Sequence, residues 1–140
     1  MKYVLVSGYF NPLHSGHISY FNEAAKLGDK LIVIINNDEQ VKLKGSKPFM
    51  NEVERCIIVG SLKNVDRVSL SISNDKSVCA DLRYWADVLM TNEIIFANGG
   101  DRVLDNVPEV SACKELGIRM VFNVGCEKTQ SSSNILKQII

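Results

Sequence analysis

Hydrophobic residues fall into short runs of strand length, separated by stretches in which apolar positions recur every three or four residues. Residues 2–7 read as a first strand. Residues 14–27 read as a helix, with Ile18, Phe21 and Ala25 at helical spacing. Gly28 is placed to end that helix as a C-terminal cap. Residues 30–36 contain Leu-Ile-Val-Ile-Ile, a continuous apolar run suited to a strand buried on both faces of a parallel sheet. A polar, lysine-bearing loop follows, from about residue 37 to residue 50. Asn51 then caps a helix that ends near Leu62, with Glu54 three residues on as in a capping box. Residues 66–70 form a third strand, 75–90 a helix of less regular pattern, and 93–97 a fourth strand. Residues 105–116 read as a helix stopped by Gly117, 118–123 as a fifth strand, and 131–140 as a last helix capped by Ser131 or Ser132.

Strands that alternate with helices imply right-handed crossovers and a parallel sheet. The expected fold class is therefore α/β: one three-layer, Rossmann-like domain over residues 1–140, with a parallel sheet of about five strands. Ligands bind such folds at the carboxyl ends of the strands, near the switch in strand order. Three polar loops follow strands, at 8–15, 98–102 and 125–133, and would converge on that edge.

Composition changes this picture little. The chain has 140 residues, 46% hydrophobic and 23% charged, with a formal net charge of zero. One domain fits that length. Zero net charge removes the argument for a nucleic-acid partner that starts from a basic surface. No run approaches the roughly 18 apolar residues of a membrane span. The N-terminal apolar stretch is too short for a signal peptide, and Ser7-Gly8 follows at once, so the expected location is cytoplasmic. Cys56, Cys79, Cys113 and Cys126 are widely spaced, without a Cys-x-x-Cys pair. They read as free, buried small groups in a reducing compartment, not as a zinc site.

The segment that carries chemistry is Gly8-Tyr9-Phe10-Asn11-Pro12-Leu13-His14-Ser15-Gly16-His17, at a strand-to-helix turn. Gly8 permits a close backbone path. His14 and His17 share one face of the first helical turn. The free amides and positive dipole end of that helix attract phosphate. Gly16 leaves space between the two rings for a ligand to lie against the backbone. Two histidines at an anion-binding helix end suit a polyphosphate.

Gly-x-Phe-(Asp/Asn)-x-x-His-x-Gly-His resembles the signature of the cytidylyltransferase-like nucleotidyltransferases. The resemblance implies that His14 and His17 contact the triphosphate and stabilise the transition state. It also implies nucleotide contacts from Gly8, Tyr9, Phe10, Asn11 and Gly16. Many relatives have Asp where this chain has Asn11, which blurs the subfamily. Leu43-Lys44-Gly45-Ser46-Lys47-Pro48-Phe49-Met50-Asn51, then Arg55, then Val65-Asp66, resembles heptose-phosphate adenylyltransferase domains. Glycerol-3-phosphate and ethanolamine-phosphate cytidylyltransferases share a related lysine loop and arginine. By that resemblance Lys44 joins the catalytic set, Arg55 binds nucleotide and Lys47 binds the second substrate. Gly99-Gly100-Asp101 is similar to the heptose branch's Gly-Gly-Asp turn, which implies nucleotide contact, with Arg102 near the acceptor. Thr129, Ser131, Ser132 and Ser133 resemble the hydroxyl-rich segment that opens the family's last helix. The resemblance further implies a homodimer.

Each of these residues also has a plainer reading. Lys42, Lys44 and Lys47 could be a solvated loop. Arg55 could pair with Glu52 or Glu54. Gly99-Gly100 could be a simple turn. Tyr84 and Trp85 read as packing residues.

The chemistry follows from charge. A phosphate monoester acceptor has a second pKa of about 6, so it is ionised at neutral pH and needs no general base. The protein must bring two anions together and stabilise charge on the α-phosphoryl group and on leaving pyrophosphate. That requires donors, with Mg²⁺ as the triphosphate's counter-ion and no metal ligand obvious on the protein. The expected activity is nucleotidyl transfer, with ATP favoured, to a sugar phosphate such as heptose 1-phosphate. The alternatives are CTP-dependent transfer to glycerol 3-phosphate or a similar alcohol phosphate, and a non-catalytic nucleotide-binding module. A flavodoxin-like electron carrier shares the fold class but would need a hydroxyl-rich first loop that this chain lacks.

Overall fold

The computed structural model describes residues 1–90, 92–99 and 108–125. The elements run β1 (Lys2–Gly8), α1 (Ser15–Ala25), β2 (Lys30–Ile35), α2 (Asp38–Leu43), α3 (Glu52–Gly60), β3 (Arg67–Leu70), α4 (Cys79–Val88), β4 (Glu93–Gly99), α5 (Glu109–Leu116) and β5 (Arg119–Val124). Among the described residues five strands form one sheet, in the order β3-β2-β1-β4-β5. Every neighbouring pair is parallel. The expected α/β, three-layer, Rossmann-like plan is the one observed.

Side-chain alternation splits the core into two layers. Val4, Val6, Leu31, Val33, Ile35 and Ala97 face one way and meet Phe21 and Ala24 of α1 and Val59 of α3. Leu5, Ile32, Ile34, Ile94 and Phe96 face the other way and meet Leu82 and Trp85 of α4 and Ala112 and Cys113 of α5. The apolar run of β2 is buried from Leu31 to Ile35, as a strand covered on both faces must be.

β1 sits at the centre. The chain moves outward through β2 and β3, then returns to β4 on the other side of β1. The switch in strand order therefore lies between β1 and β4, which fixes the place of the ligand crevice. β5 carries one more residue than β4 across its last paired stretch, because Ala97 faces Val121 while Gly99 faces Val124. Asn123 takes a left-handed conformation there, with φ of 57°. The bulge turns the end of β5 toward α1, where Gly125 packs on the Tyr20 backbone.

Several boundaries differ from the sequence expectation. The stretch expected to be a loop from 37 to 50 contains α2. Asn37 caps it, Gln40 answers with a reciprocal side-chain bond, and Gln40 and Val41 are buried. Six residues are too few for a periodicity signal. Asn51 caps α3 by accepting from Glu54 N at 2.9 Å. The fourth helix starts at Cys79, not at residue 75, because residues 71–78 are held in a side-chain network. In that network Asp81 accepts from Ser71 Oγ (2.6 Å), Ser73 Oγ (2.9 Å) and Ile72 N (2.9 Å). Gln40 Nε2 donates to Asp75 O (2.8 Å) and Ser77 O (3.0 Å). Gly117 does end α5, in the left-handed conformation at φ 72°.

Gly28 is not the C-terminal cap of α1. Lys26 holds that position in ordinary right-handed geometry. Gly28 instead lets the chain pass close to β1: a Cβ there would lie 2.8 Å from Val4 Cγ2 and 2.9 Å from Lys2 O. Gly28→Ala is expected to destabilise the fold by about 1–3 kcal/mol through overpacking. Urea denaturation measures it, and nucleotide affinity should not change.

Cys56, Cys79 and Cys113 are free thiols. Burial, with Glu109 and Cys79 nearby, pushes the Cys113 thiol up to about 12. The unfolded thiol ionises near 9.0 and the folded one does not. Above pH 9 the unfolded state therefore binds fewer protons, and Cys113 subtracts stability as pH rises toward 12. At pH 8, Cys113 is expected to resist a thiol-titrating disulfide reagent until the protein is unfolded; labelling followed by peptide mapping checks this.

Candidate active site

The carboxyl ends of β1, β2, β4 and β5 open into a cavity of about 430 Å³, large enough for a nucleotide-sized ligand. Ser7 and Gly8 of β1, Asn98 and Gly99 of β4, and Val124 of β5 line it. Tyr9, Phe10, His14, Gly16, His17 and Tyr20 close the side toward α1, and Asn36 and Lys44 the side toward α2. Lys76, Val78 and Glu109 close the opposite side.

His14 is the N-cap of α1 and His17 its third residue, and the two build a reciprocal cap from imidazoles. His14 Nδ1 accepts from Gly16 N at 3.1 Å, and His17 Nδ1 accepts from His14 N at 3.1 Å. An Nδ1 that accepts a backbone N–H leaves the neutral ring's proton on Nε2. Both rings are thereby fixed as Nε2 donors by the helix they cap. Their centroids lie 3.8 Å apart, stacked at 29°. Phe10 packs edge-on against His17 at 5.0 Å and buttresses the pair. A ligand cannot lie between the rings, so that expectation is corrected: the stacked pair presents one edge. The amides of Gly16 and His17 are also engaged, by His14 Nδ1 and His14 O. The helix thus offers a dipole end more than a set of free N–H groups.

The preceding turn is tight. Phe10 is buried with φ of 50°, a left-handed value unusual for an aromatic residue. Gly8 makes room for its ring, since a Cβ at Gly8 would meet Phe10 Cζ at 2.7 Å. Strain of this kind is held only where surrounding contacts over-determine it.

Those contacts come largely from two residues expected to touch nucleotide. Asn11 is buried, and its amide is spent on the lysine loop. Oδ1 accepts from Phe49 N (2.6 Å) and Met50 N (3.1 Å), and Nδ2 donates to Lys47 O (2.8 Å). Arg55 is wholly buried. It donates to Tyr9 O (2.7 Å), Asn36 O (2.6 Å), Met50 O (3.0 Å) and Asp38 Oδ1 (2.7 Å). Neither side chain lines the cavity, and the structure corrects both to residues that hold its walls. The pairing of Arg55 with Glu52 or Glu54 is not observed either; Glu52 instead accepts from Asp38 N at 2.9 Å. Beside Arg55, burial raises the Cys56 thiol while the guanidinium pulls it down.

Lys44 ends α2 and extends its Nζ over the Tyr9 ring, 4.3 Å from the centroid, at the cavity wall. Lys47 is exposed and outside the lining, so its side chain is not brought to the cavity. Lys42 pairs with Glu39 on the solvent side. Gly99 is the last residue of β4 and not part of a simple turn; a Cβ there would press on the Tyr20 ring at 3.3 Å. Gly100, Asp101, Arg102, Thr129, Ser131, Ser132 and Ser133 lie outside the described residues, as do Cys126 and the expected last helix.

Reading the sequence alone gave no site role to Ser7, Tyr20, Asn36, Lys76, Val78, Glu109 and Val124 of the lining, and named Asn98 only as part of the 98–102 loop. Asn36 and Asn98 carried a usable signal: each is a polar residue directly after a buried apolar run, where a parallel strand reaches its carboxyl end. Lys76 and Glu109 carried none, since both sit in ordinary polar stretches.

The cytidylyltransferase-like family model matches residues 5–138. The chain belongs to the cytidylyltransferase-like family. It is 35% identical over 151 aligned positions to the bifunctional protein HldE of Enterobacter sp. (strain 638), and likewise to that of Citrobacter koseri. Those alignments cover 99% of this chain and 28% of each relative, so the chain spans about a quarter of the length of the curated relatives it matches. Among solved structures it is similar to the lipopolysaccharide core biosynthesis protein of Thermoplasma volcanium GSS1. That match has a TM-score of 0.71 and 30% identity, over 90% of this chain and 98% of that one. It shares the fold of a putative nicotinate-nucleotide adenylyltransferase from Vibrio parahaemolyticus, at TM-score 0.67 and 18% identity over 99% and 80% of the two chains.

Arg55→Ala is expected to cost about 3–5 kcal/mol, because it leaves Asp38 and three backbone carbonyls without their partner. Arg55→Lys should restore little, since an ammonium cannot reproduce the planar fork. Chemical denaturation gives the stability, and nucleotide affinity should fall in step with it.

Proposed function

We propose that this chain is a nucleotidyltransferase that moves a nucleotidyl group from a nucleoside triphosphate, ATP by preference, to a sugar phosphate such as heptose 1-phosphate. The observation that carries the reading is the stacked His14–His17 pair, with both Nδ1 atoms held by backbone amides, at the positive end of α1 beside Lys44. The likeness to HldE and to the lipopolysaccharide core biosynthesis protein supports the choice of acceptor.

A phosphate oxygen of the acceptor attacks the α-phosphorus and forms a new P–O bond. The bond from the α-phosphorus to the bridging oxygen breaks, and pyrophosphate leaves with the electron pair. No proton needs to be removed from the nucleophile. His14 and His17 donate from Nε2 to oxygens on which charge grows, and Lys44 adds a cation at the same wall. α1 contributes its dipole. Among the described residues no three His, Cys, Asp or Glu side chains gather into a metal site. In this reading Mg²⁺ would be the triphosphate's counter-ion and would neutralise charge on it.

No helix among the described residues is long and apolar enough to cross a membrane. The reading places the chain in the cytoplasm, with its nucleotide supply. α3 leaves Val53 and Ile57 about 60% exposed one turn apart, which supports a homodimer; light scattering of the purified chain tests that.

Pyrophosphate release with Mg²⁺, each nucleoside triphosphate and a panel of sugar and alcohol phosphates tests the activity. ATP with heptose 1-phosphate is expected to react. His14→Ala and His17→Ala are each expected to lower kcat by about 10²–10³ with a much smaller change in nucleotide affinity. Release with CTP and glycerol 3-phosphate instead would assign the cytidylyltransferase reading. Nucleotide binding without release from any pair would assign the non-catalytic module.

A further inference from the structure

The cavity has a donor wall, from α1 and α2, with His14, His17 and Lys44, and an opposite wall that includes Lys76 and Val78. Two side-chain amides of α2 tie these walls together. Asn37 and Gln40 cap α2 reciprocally: Gln40 N donates to Asn37 Oδ1 and Asn37 N to Gln40 Oε1, each at 2.9 Å. That exchange uses only the amide oxygens. Both amide nitrogens reach across to the 71–77 segment. Asn37 Nδ2 donates to Ser71 O (3.0 Å) and Ser73 O (3.2 Å), and Gln40 Nε2 to Asp75 O (2.8 Å) and Ser77 O (3.0 Å). Four alternate carbonyls are thus held by the four N–H donors that two amides possess.

Gln40 occupies a particular place in this ladder. It is wholly buried. Its carbonyl accepts from Lys44 N at 3.0 Å, the residue that ends α2. Its side chain grips the two residues on either side of Lys76. One residue therefore stands between two lysines that line the cavity from opposite sides. Capping alone does not call for this, because Oε1 completes the reciprocal cap and a shorter acceptor would leave no amide to bury.

The donor wall has other anchors. Asp38 fixes α2 to Arg55 at 2.7 Å, and Tyr20 ties α1 to Ala97 in β4. On the far side, Asp81 holds Ser71, Ile72 and Ser73. Nearer the cavity, Gln40 supplies the bonds that join residues 75–77 to α2.

We propose that Gln40 is a positioning residue for the second substrate: it sets the distance of the Lys76–Val78 wall from Lys44, and with it the fit of the phosphorylated acceptor. The inference rests on the nucleotidyl-transfer reading. The donors assigned to the triphosphate stay mounted without Gln40, so the acceptor bears its loss. A wall that the ligand must itself order weakens the binding of that ligand.

The test compares the wild-type chain with Gln40→Met, which keeps the volume and loses both donations. Pyrophosphate release gives KM and kcat for heptose 1-phosphate, or for whichever panel phosphate the wild type turns over, and calorimetry gives the ATP affinity. The acceptor KM is expected to rise about tenfold, with kcat within about threefold and ATP affinity within about twofold of wild type. Ile118→Val, in the core at the amino end of β5, serves as the comparator: it lowers the urea midpoint and should leave all three constants unchanged. Gln40→Glu keeps the acceptor for Asn37 N and suits the first turn of a helix, but loses the two donations. It carries the same test should the methionine variant not fold.

An unchanged acceptor KM in a folded Gln40 variant overturns the inference and leaves Gln40 as a structural residue alone. So does an ATP affinity that falls in step with KM, or a KM that rises equally in Ile118→Val. A wild type that binds ATP but releases pyrophosphate with no pair overturns the proposed function and the inference together, a failure visible before any variant is made.

Discussion

The site depends on one buried guanidinium. Arg55 projects from α3 and joins four segments that are distant in sequence: the turn after β1, the end of β2, the start of α2 and the end of the lysine loop. A fully buried arginine is costly to desolvate and is tolerated only when its donors are met. Here three carbonyls and the Asp38 carboxylate meet them. Because the carbonyls belong to loops, the same bonds that neutralise the cation fix the loops. Asn11 repeats the logic from the other side, gripping the backbone of 47–50 with both ends of its amide. Phe10 can then hold its left-handed backbone conformation against His17, and the histidine pair stands where the helix ends.

This arrangement separates the residues that line the cavity from those that hold its walls. The first group is His14, His17, Lys44 and the backbone of the glycine positions. The second is Asn11, Arg55, Gln40 and Asp81. Both groups are polar, and a sequence does not distinguish them, because burial is a property of the assembled fold. Arg55 looked like a phosphate ligand for that reason: an arginine after a lysine loop has the right chemistry, and only its zero exposure shows that the chemistry is directed inward.

The sheet was legible because continuous apolar runs such as Leu31–Ile35 have few other uses in a chain of this size. The number of strands and the parallel plan followed from strands alternating with helices. Short elements were not legible. α2 has six residues and two buried positions, and its polar composition reads as loop. The start of α4 moved from residue 75 to Cys79 because Asp81 and Gln40 bind the preceding segment from outside, a long-range effect with no local signature. At the site, the His-x-Gly-His spacing pointed to two imidazoles that the fold brings to the cavity, but not to their stacking. Glu109 and Lys76 reach the cavity only because α4 and α5 cover the far face of the sheet.

Tyr20 shows how firmly the donor wall is mounted. It lies one turn beyond His17 on α1, is buried, and donates its hydroxyl to the backbone of Ala97 in β4. Gly99 and Gly125 leave out side chains where their backbones close on the same residue. The helix that carries the two imidazoles is thereby bolted to the strands on the far side of the switch point. Its front edge acts as a fixed gauge: the distance from the donors to the ends of β4 and β5 is set when the protein folds, before any ligand arrives. A ligand that spans this distance meets a preformed span, and the free energy of its binding need not be spent on drawing these two walls together.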